Sequence, residues 1–347
     1  MMLKFKALLF FSLTGLSLFA QSAQKKYYSA VVAFWNVENF YDTINEPTKN
    51  DEEFLPNGLN RWTSERYWKK IDRLGEVISQ IGTDVNPDGP AVIGLAEIEN
   101  INVLNDLVKN PQISARNYKP ILIEGPDRRG VDVALLYNPK YFKLTSAKSY
   151  RLSDPTDTSF ASRDQLLVSG TLDGENMHFI VAHWPSRRGG EKRSRPKREL
   201  AAKLGRHIID SLQKADPASK VIYMGDLNDD PVNASVYKHI GAYGKQTDST
   251  GTQLYNPMYA MYKNGIGSLA YNDSWNLFDQ FLITSSLLIQ NQTGFSFHSA
   301  KVFNRPFLRQ DNGNFKGYPF RTYSGGTYSG GYADHFPVYL MLKKEVK

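Results

Sequence analysis

A chain of 347 residues with 42 Lys+Arg against 35 Asp+Glu has a formal charge of +7, and 41% of it is hydrophobic and 22% charged. That balance excludes a disordered tail, a collagen-like rod and a bundle of membrane helices, and the length suffices for one large core or two average ones. The positive charge points to an anionic partner, nucleic acid or anionic lipid, without choosing between them.

Residues 1–24 read as a secretory leader. Lys4 and Lys6 precede an apolar stretch over 7–20, and Ala20, or Ala23 slightly later, offers a small residue for cleavage. The run is shorter than the roughly 20 apolar residues that span a bilayer. A signal peptide over 1–20, with cleavage as late as 23, is therefore expected, and with it a secreted or periplasmic protein that has no stable membrane association. The chain has no cysteine. Disulfides, thiolate zinc sites, a cysteine nucleophile and lipid attachment through cysteine are all excluded.

Residues 27–37 alternate and are β-rich, which predicts a strand ending at Asn36. Residues 62–81 predict a helix, because Tyr67, Ile71, Leu74, Val77, Ile78 and Ile81 recur at three- and four-residue steps. A short apolar run at 91–96 predicts a buried strand and 102–108 a short helix. Strands follow at 118–124 and 131–137. Residues 166–172 and 177–182 predict a hairpin that turns at Asp173-Gly174. Pro196 is expected to open a helix with Leu200, Leu204, Ile208 and Leu212 on one face. Strands at 221–224, 280–284 and 336–342 complete the order. No linker interrupts 27–344, so one domain is expected, a layered α/β unit with helices covering sheets. The one repeat, Thr-Tyr-Ser-Gly-Gly at 322–326 and again at 327–331, is read as a glycine-rich loop leading to Asp334.

The informative polar residues follow apolar strands. Asn36 ends the first, and Glu97 follows Val92-Ile93-Gly94-Leu95-Ala96. His183 follows Phe179-Ile180-Val181-Ala182, and Asp226 and Asn228 follow a strand ending in Gly225. Asp279 precedes Phe281-Leu282-Ile283, and Asp334-His335 precede Phe336-Pro337-Val338. Oxygen donors with few nitrogens suit a hard divalent cation. Histidines beside one suit an oxyanion that must be held and protonated. Singly, each residue reads as well as a turn, a cap or a structural histidine. Only their joint occurrence points to a site.

Those segments resemble the endonuclease/exonuclease/phosphatase family of DNase-I-like enzymes. The resemblance rests on Phe34-Trp35-Asn36-Val37-Glu38-Asn39, Leu95-Ala96-Glu97, Asp132-Val133-Ala134-Leu135-Leu136-Tyr137, Ala182-His183-Trp184, Gly225-Asp226-Leu227-Asn228, Asp279-Gln280-Phe281 and the stretch from Ser329 to Pro337, in the family's order. It implies a four-layer α/β sandwich, two packed mixed sheets flanked by helices. It implies Glu97 as a metal ligand, Asn36 beside it as a metal or phosphate ligand, and Asp334 as a further metal contact. By the same resemblance Asp226 activates water, Asn228 orients the scissile phosphate, His183 bonds a phosphate oxygen, and Asp279 orients His335. Asp226 and His335 both stand as candidate bases. Ala96 replaces a frequent glutamine of the family, and Arg129 and Asp132 lie near the family's active-site tyrosine. The implied cofactor is Mg²⁺, with Mn²⁺ or Ca²⁺ as alternatives.

Between His183 and residue 198 lie Arg187, Arg188, Lys192, Arg193, Arg195, Lys197 and Arg198, interrupted in charge only by Glu191. Such a run suits tracking of phosphates without reading sequence. Trp184 is a candidate for stacking on a base. Arg305, Arg309, Lys316 and Arg321 could extend that basic face. The expected activity is sequence-nonspecific, metal-dependent hydrolysis of DNA, or of RNA, by a monomer. A phosphodiesterase or phosphatase on a non-nucleic substrate, such as a sphingomyelinase-like phospholipase, is the alternative, and Tyr255-Asn-Pro-Met-Tyr-Ala-Met-Tyr262 is the only candidate for the membrane segment a phospholipase needs. A binding protein without catalysis is the third reading.

Overall fold

The computed structural model describes residues 26–245, 251–289 and 294–346. The expected signal peptide lies outside them. In chain order the elements are β1 (Tyr27–Phe40), α1 (Ser64–Gln80), β2 (Val92–Ile98), α2 (Ile101–Val108), β3 (Lys119–Leu122), β4 (Asp132–Tyr137), β5 (Phe142–Tyr150), β6 (Gln165–Leu172), β7 (Glu175–His183), α3 (Glu191–Ala215) and β8 (Val221–Asp226). There follow β9 (Ala242–Tyr243), β10 (Leu254–Tyr255), α4 (Tyr259–Lys263), β11 (Leu269–Tyr271), β12 (Ser274–Asn276), β13 (Asp279–Ile283), β14 (Ser296–Val302), β15 (Tyr323–Ser324), β16 (Thr327–Tyr328) and β17 (Val338–Glu345).

One sheet runs β14-β17-β1-β2-β4-β3 and the other β5-β6-β7-β8-β13-β10-β9. β1 alternates between two cores, as period-two geometry requires. Val31, Ala33, Trp35 and Val37 pack toward α1 and α2, while Ala30, Val32 and Phe34 pack against Phe179, Val181, Ile222 and Met224 of the other sheet. The far face of that second sheet, with Ile180, Tyr223 and Leu282, is covered by Ala201, Ala202, Ile208 and Ile209 of α3. Helix, sheet, sheet and helix therefore make four layers, the expected sandwich.

Local chemistry explains the boundaries. Thr63 caps α1 by accepting from the Arg66 amide, and Asn100 caps α2 by accepting from Asn102 and Val103. Asp173 and Gly174 both hold positive φ, 48° and 82°, as a two-residue hairpin turn demands. Gly325 and Gly326 do the same between β15 and β16, so the Thr-Tyr-Ser-Gly-Gly repeat is a small hairpin.

Helix α3 departs from expectation. It starts at Glu191, and Pro196 sits inside it. The fully buried Arg198 overrides the proline signal, since its guanidinium ties Ser194 Oγ (2.7 Å) and the Glu191 carbonyl (3.2 Å) and holds the first turn in place. The short strand β3 ends at Leu122, before the predicted residue 124. The edge strand β5 carried no apolar signal because most of its residues face solvent. No helix among the described residues is long and apolar enough to cross a membrane. In the segment 255–262, Met258 is fully buried, and Tyr255, Met261 and Tyr262 pack on the core between the sheets. Its ring and thioether side chains are thus held by the body of the protein.

Candidate active site

β1 and β2 are parallel, as are β7 and β8, so the ends of these four strands face one edge of the sandwich. Asn36 and Glu97 lie at that edge on the first sheet. His183 and Asp226 lie there on the second, paired in register with each other. Asp279 pairs with Asp226 from the antiparallel β13. Asp334 and His335 enter just before β17, and the Trp35 indole donates to the His335 carbonyl at 2.9 Å, which fixes that approach.

The strands deform where they reach the edge. Pairing of β1 with β2 slips between Asn36 and Phe40, and that of β2 with β4 slips between Ala96 and Ile98. Glu38, Asn39 and Glu97 take left-handed backbone, φ 55°, 48° and 66°. Such bulges re-aim side chains, and a left-handed conformation in non-glycine residues marks a place where surrounding structure overrides local preference. The Asn39 amide donates to Glu97 Oε2 at 2.8 Å and locks the two bulges together. Asn228 is also left-handed (φ 49°), and its amide donates to Asp226 Oδ1 at 2.9 Å.

Three nitrogens surround one oxygen. Asn36 Nδ2 donates to Asp226 Oδ2 at 3.0 Å, and Nε2 of His183 and of His335 lie 3.5 and 3.9 Å from the same atom. His183 Nε2 is also 4.0 Å from Glu97 Oε1. On its other side His335 Nδ1 meets Asp279 Oδ2 at 2.6 Å, and the Ser268 hydroxyl donates to that carboxylate oxygen at 2.5 Å.

These contacts separate the protonation states. Burial pushes Asp226 up to about 6, with the Asp279 charge adding to the rise and His335 opposing it. Burial pulls His335 down, yet Asp279 and then Asp226 hold it well above the ordinary histidine range. His183, buried and facing Arg163 and Arg129, is held well below that range. At neutral pH the site therefore carries an imidazolium at 335, a neutral imidazole at 183 and a carboxylate at 226.

The donors available to a cation are oxygens: Glu97 Oε1, Asp226, Asn36 and Asp334. Among the described residues no group of three His, Asp or Glu closes around an ion. The donor set fits a hard divalent cation.

Several sequence expectations are redrawn here. Trp184 is 1% exposed in the core under α3, and its indole donates to the Tyr223 hydroxyl at 2.7 Å. It is a core residue and cannot stack on a base. Arg187 does not extend into solvent as a phosphate tracker. Its Nε donates to the Asn228 carbonyl (2.9 Å), its Nη2 to Asp229 Oδ1 (3.0 Å), and its guanidinium covers the Phe278 ring. It braces the loop that carries Asn228. Arg188 is exposed. Arg129 stands 3.4 Å from Asp127 and faces Glu97. Asp334 is bonded by Arg321 Nη2 at 2.9 Å, whereas Arg309 folds back on Asn304.

Other residues beside the site were not singled out from the sequence. Buried Glu38 accepts from the Thr322 amide at 2.7 Å and from Arg321 Nε at 3.5 Å. Lys70, buried on α1, donates to Thr322 Oγ1 and the Tyr332 carbonyl. Burial raises Glu38 and lowers Lys70 toward each other. Arg163 donates to Asp127 Oδ2 (3.0 Å) and to the Trp184 carbonyl (2.7 Å). Of these only Glu38 had a visible clue, its place two residues beyond Asn36.

A family model described as the Endonuclease/Exonuclease/phosphatase family matches residues 31–344. No curated protein matches the chain. Among solved structures, TDP2 of D. rerio complexed with single strand DNA product is 16% identical, with a TM-score of 0.54 over 90% of this chain and 98% of that one. An endonuclease/exonuclease/phosphatase family protein from Bacteroides thetaiotaomicron is 17% identical, TM-score 0.53, over 93% and 97%. A mannosyl-6-phosphatase from Bacteroides thetaiotaomicron is 16% identical, TM-score 0.53, over 90% and 99%. At these identities the likeness is one of fold.

Proposed function

The chain belongs to the endonuclease/exonuclease/phosphatase family of phosphoester hydrolases, and from that premise we propose that it is a secreted, Mg²⁺-dependent, sequence-nonspecific endonuclease that hydrolyses DNA. What carries the reading is the meeting of two oppositely biased histidines at one carboxylate oxygen, with Nε2 of His183 and His335 lying 3.5 and 3.9 Å from Asp226 Oδ2.

In this reading Asp226 takes a proton from an in-line water. Its buried carboxylate is ionised above about 6, so it is a base poised near neutral pH. Asn36 and the Asn228 amide hold that carboxylate in place. His335, kept charged by Asp279, donates to the developing oxyanion. Neutral His183 donates one N–H to a non-bridging oxygen. Glu97 and Asn36, with Asp334, would hold the divalent cation, which neutralises phosphate charge as a Lewis acid. The proton taken by Asp226 returns to the leaving oxygen or to solvent, and no covalent intermediate is needed.

The net positive charge supports a polyanionic substrate, and the D. rerio TDP2 structure with single strand DNA product supports nucleic acid as that substrate. Export rests on residues 1–20. The test is plasmid nicking by the mature protein in Mg²⁺, with and without EDTA, beside Asp226→Ala. Metal-dependent nicking that disappears in the variant supports the proposal. An intact plasmid together with turnover of small phosphoesters would overturn the assignment to DNA.

A further inference from the structure

A cleft of about 580 Å³ opens immediately after Trp184, between the loop of Pro185 and Ser186 and the segment 157–163. Arg128, Arg163, Arg188, Arg193 and Lys197 line it, against Asp157 as the one carboxylate of the lining. Lys197 answers that carboxylate at 3.6 Å, and Arg128 donates to the Ser159 carbonyl at 3.3 Å. The guanidiniums of Arg188 and Arg193 meet no hydrogen-bond or ion-pair partner among the described residues, unlike their neighbour Arg195, which is paired with Glu191 at 2.9 Å.

Two polar atoms on the cleft wall are also left without partners, the Ser162 hydroxyl and Arg163 Nε, on residues only 2% and 6% exposed. A buried donor without an acceptor costs stability. A wall that keeps such donors beside two free guanidiniums is short of acceptor oxygens. A phosphate supplies several, and guanidinium forks match its geometry.

The cleft is tied to the active site by one carbonyl. The Trp184 oxygen accepts from Arg163 Nη2 at 2.7 Å and from Asn228 Nδ2 at 3.0 Å. Trp184 itself follows His183 directly. That carbonyl thus joins the cleft wall to the loop that carries Asp226 and Asn228, one residue from His183.

We propose that this cleft is a phosphate subsite that receives a second phosphate of the substrate. The proposal rests on the reading of Asp226 and the histidines as the hydrolytic centre. It replaces an open, polymer-tracking basic stripe with a bounded pocket for one phosphate and the group that carries it. Two sources share this chemistry, a terminal phosphate on a nucleic-acid strand and a small molecule bearing two phosphates.

The test is equilibrium binding to the mature protein in EDTA, where no turnover occurs. The probes are a dinucleotide with its single internucleotide phosphate, the same dinucleotide with an added 5′ or 3′ phosphate, and inorganic pyrophosphate. One terminal phosphate is expected to tighten Kd by about ten-fold or more, as multiple charge-assisted hydrogen bonds do. Arg188→Ala with Arg193→Ala should cut that gain to about two-fold or less, while Lys140→Ala with Lys148→Ala, which removes the same charge elsewhere, should keep it. Pyrophosphate binding with the same sensitivity would identify the small-molecule source, and a gain confined to one strand end would identify the nucleic-acid source. No gain at either end and no sensitive pyrophosphate binding, or a gain equally lost in the lysine pair, overturns the subsite. Terminal-phosphate binding in a protein that nicks no DNA would overturn the endonuclease reading and leave the subsite standing. Nicking without the binding gain would do the reverse.

Discussion

Asn36 Nδ2 and Asp226 Oδ2, 3.0 Å apart, join the ends of strands that belong to different sheets. The bond crosses the sandwich at the edge where these strands end, and it helps to hold down the proton affinity of a carboxylate that burial raises. Removing the asparagine therefore has a directional consequence. In Asn36→Ala the acid limb of kcat/KM should move up in pH by about half a unit to one unit, with kcat reduced by about ten- to a hundred-fold. In the wild type that limb should fall at or below about 6, the value of Asp226 in the metal-free site, since a bound cation draws it lower. A pH–rate profile of both proteins checks this, and an unchanged limb in the variant removes Asp226 as the base.

Glu97 offers Oε1 toward His183 while Oε2 is held by the Asn39 amide. Glu97→Gln keeps that acceptor and loses the charge. The Mg²⁺ concentration for half-maximal activity should rise by about ten- to a hundred-fold, with the fold unchanged by circular dichroism. Titration of activity with Mg²⁺ reads the effect, and an unaltered midpoint excludes Glu97 as a ligand.

Arg198 and Asp229 form a fully buried pair at 2.8 Å. Asp229 also receives Arg187 and Ser235, so the pair anchors the loop beyond Asn228. Arg198→Ala leaves a buried carboxylate short of its partner and should cost about 3–5 kcal/mol in urea unfolding. Loss under about 1 kcal/mol would mean that Arg187 alone suffices.

Glu99 gives a pH dependence of stability with a definite sign. Burial, opposed by the Asp42 amide and reinforced by the Asp42 charge, pushes it up to about 8. The folded protein then keeps a proton that the unfolded chain releases above its ordinary value. Its contribution is complete in acid below about 4 and is lost as pH rises toward 8. Glu99→Gln, which does not titrate, should match the wild type near pH 5 and exceed it by about 1–3 kcal/mol near pH 8. Thermal melts at the two pH values decide it.

The backbone of this fold was legible where side chains obey one period. The apolar face of α1 and the Asp173-Gly174 turn follow from residue type alone. So does the placement of Asn36, Glu97, His183 and Asp226 at strand ends. What was hidden depends on contacts far apart in sequence. The burial of Trp184 comes from α3 packing over it, and the burial of a charged Arg198 inside α3 from its reach to Asp229. Arg187 looked like a surface cation because nothing nearby announces that the Asn228 carbonyl lies within its reach. The left-handed Glu97 is equally silent, since no residue type in Leu95-Ala96-Glu97 demands a positive φ.

The pairing of β1 with β17 has a consequence in time. Trp35 and His335 are 300 positions apart and are joined by a single bond. A ribosome releases Asn36 and Glu97 early, but their companions Asp334 and His335 come only with the strand that zips against β1. Every shorter nascent chain lacks one side of the site. Completion of this edge is therefore among the last events of synthesis, because His335 reaches Asp226 only once the chain beyond it can pair with β1.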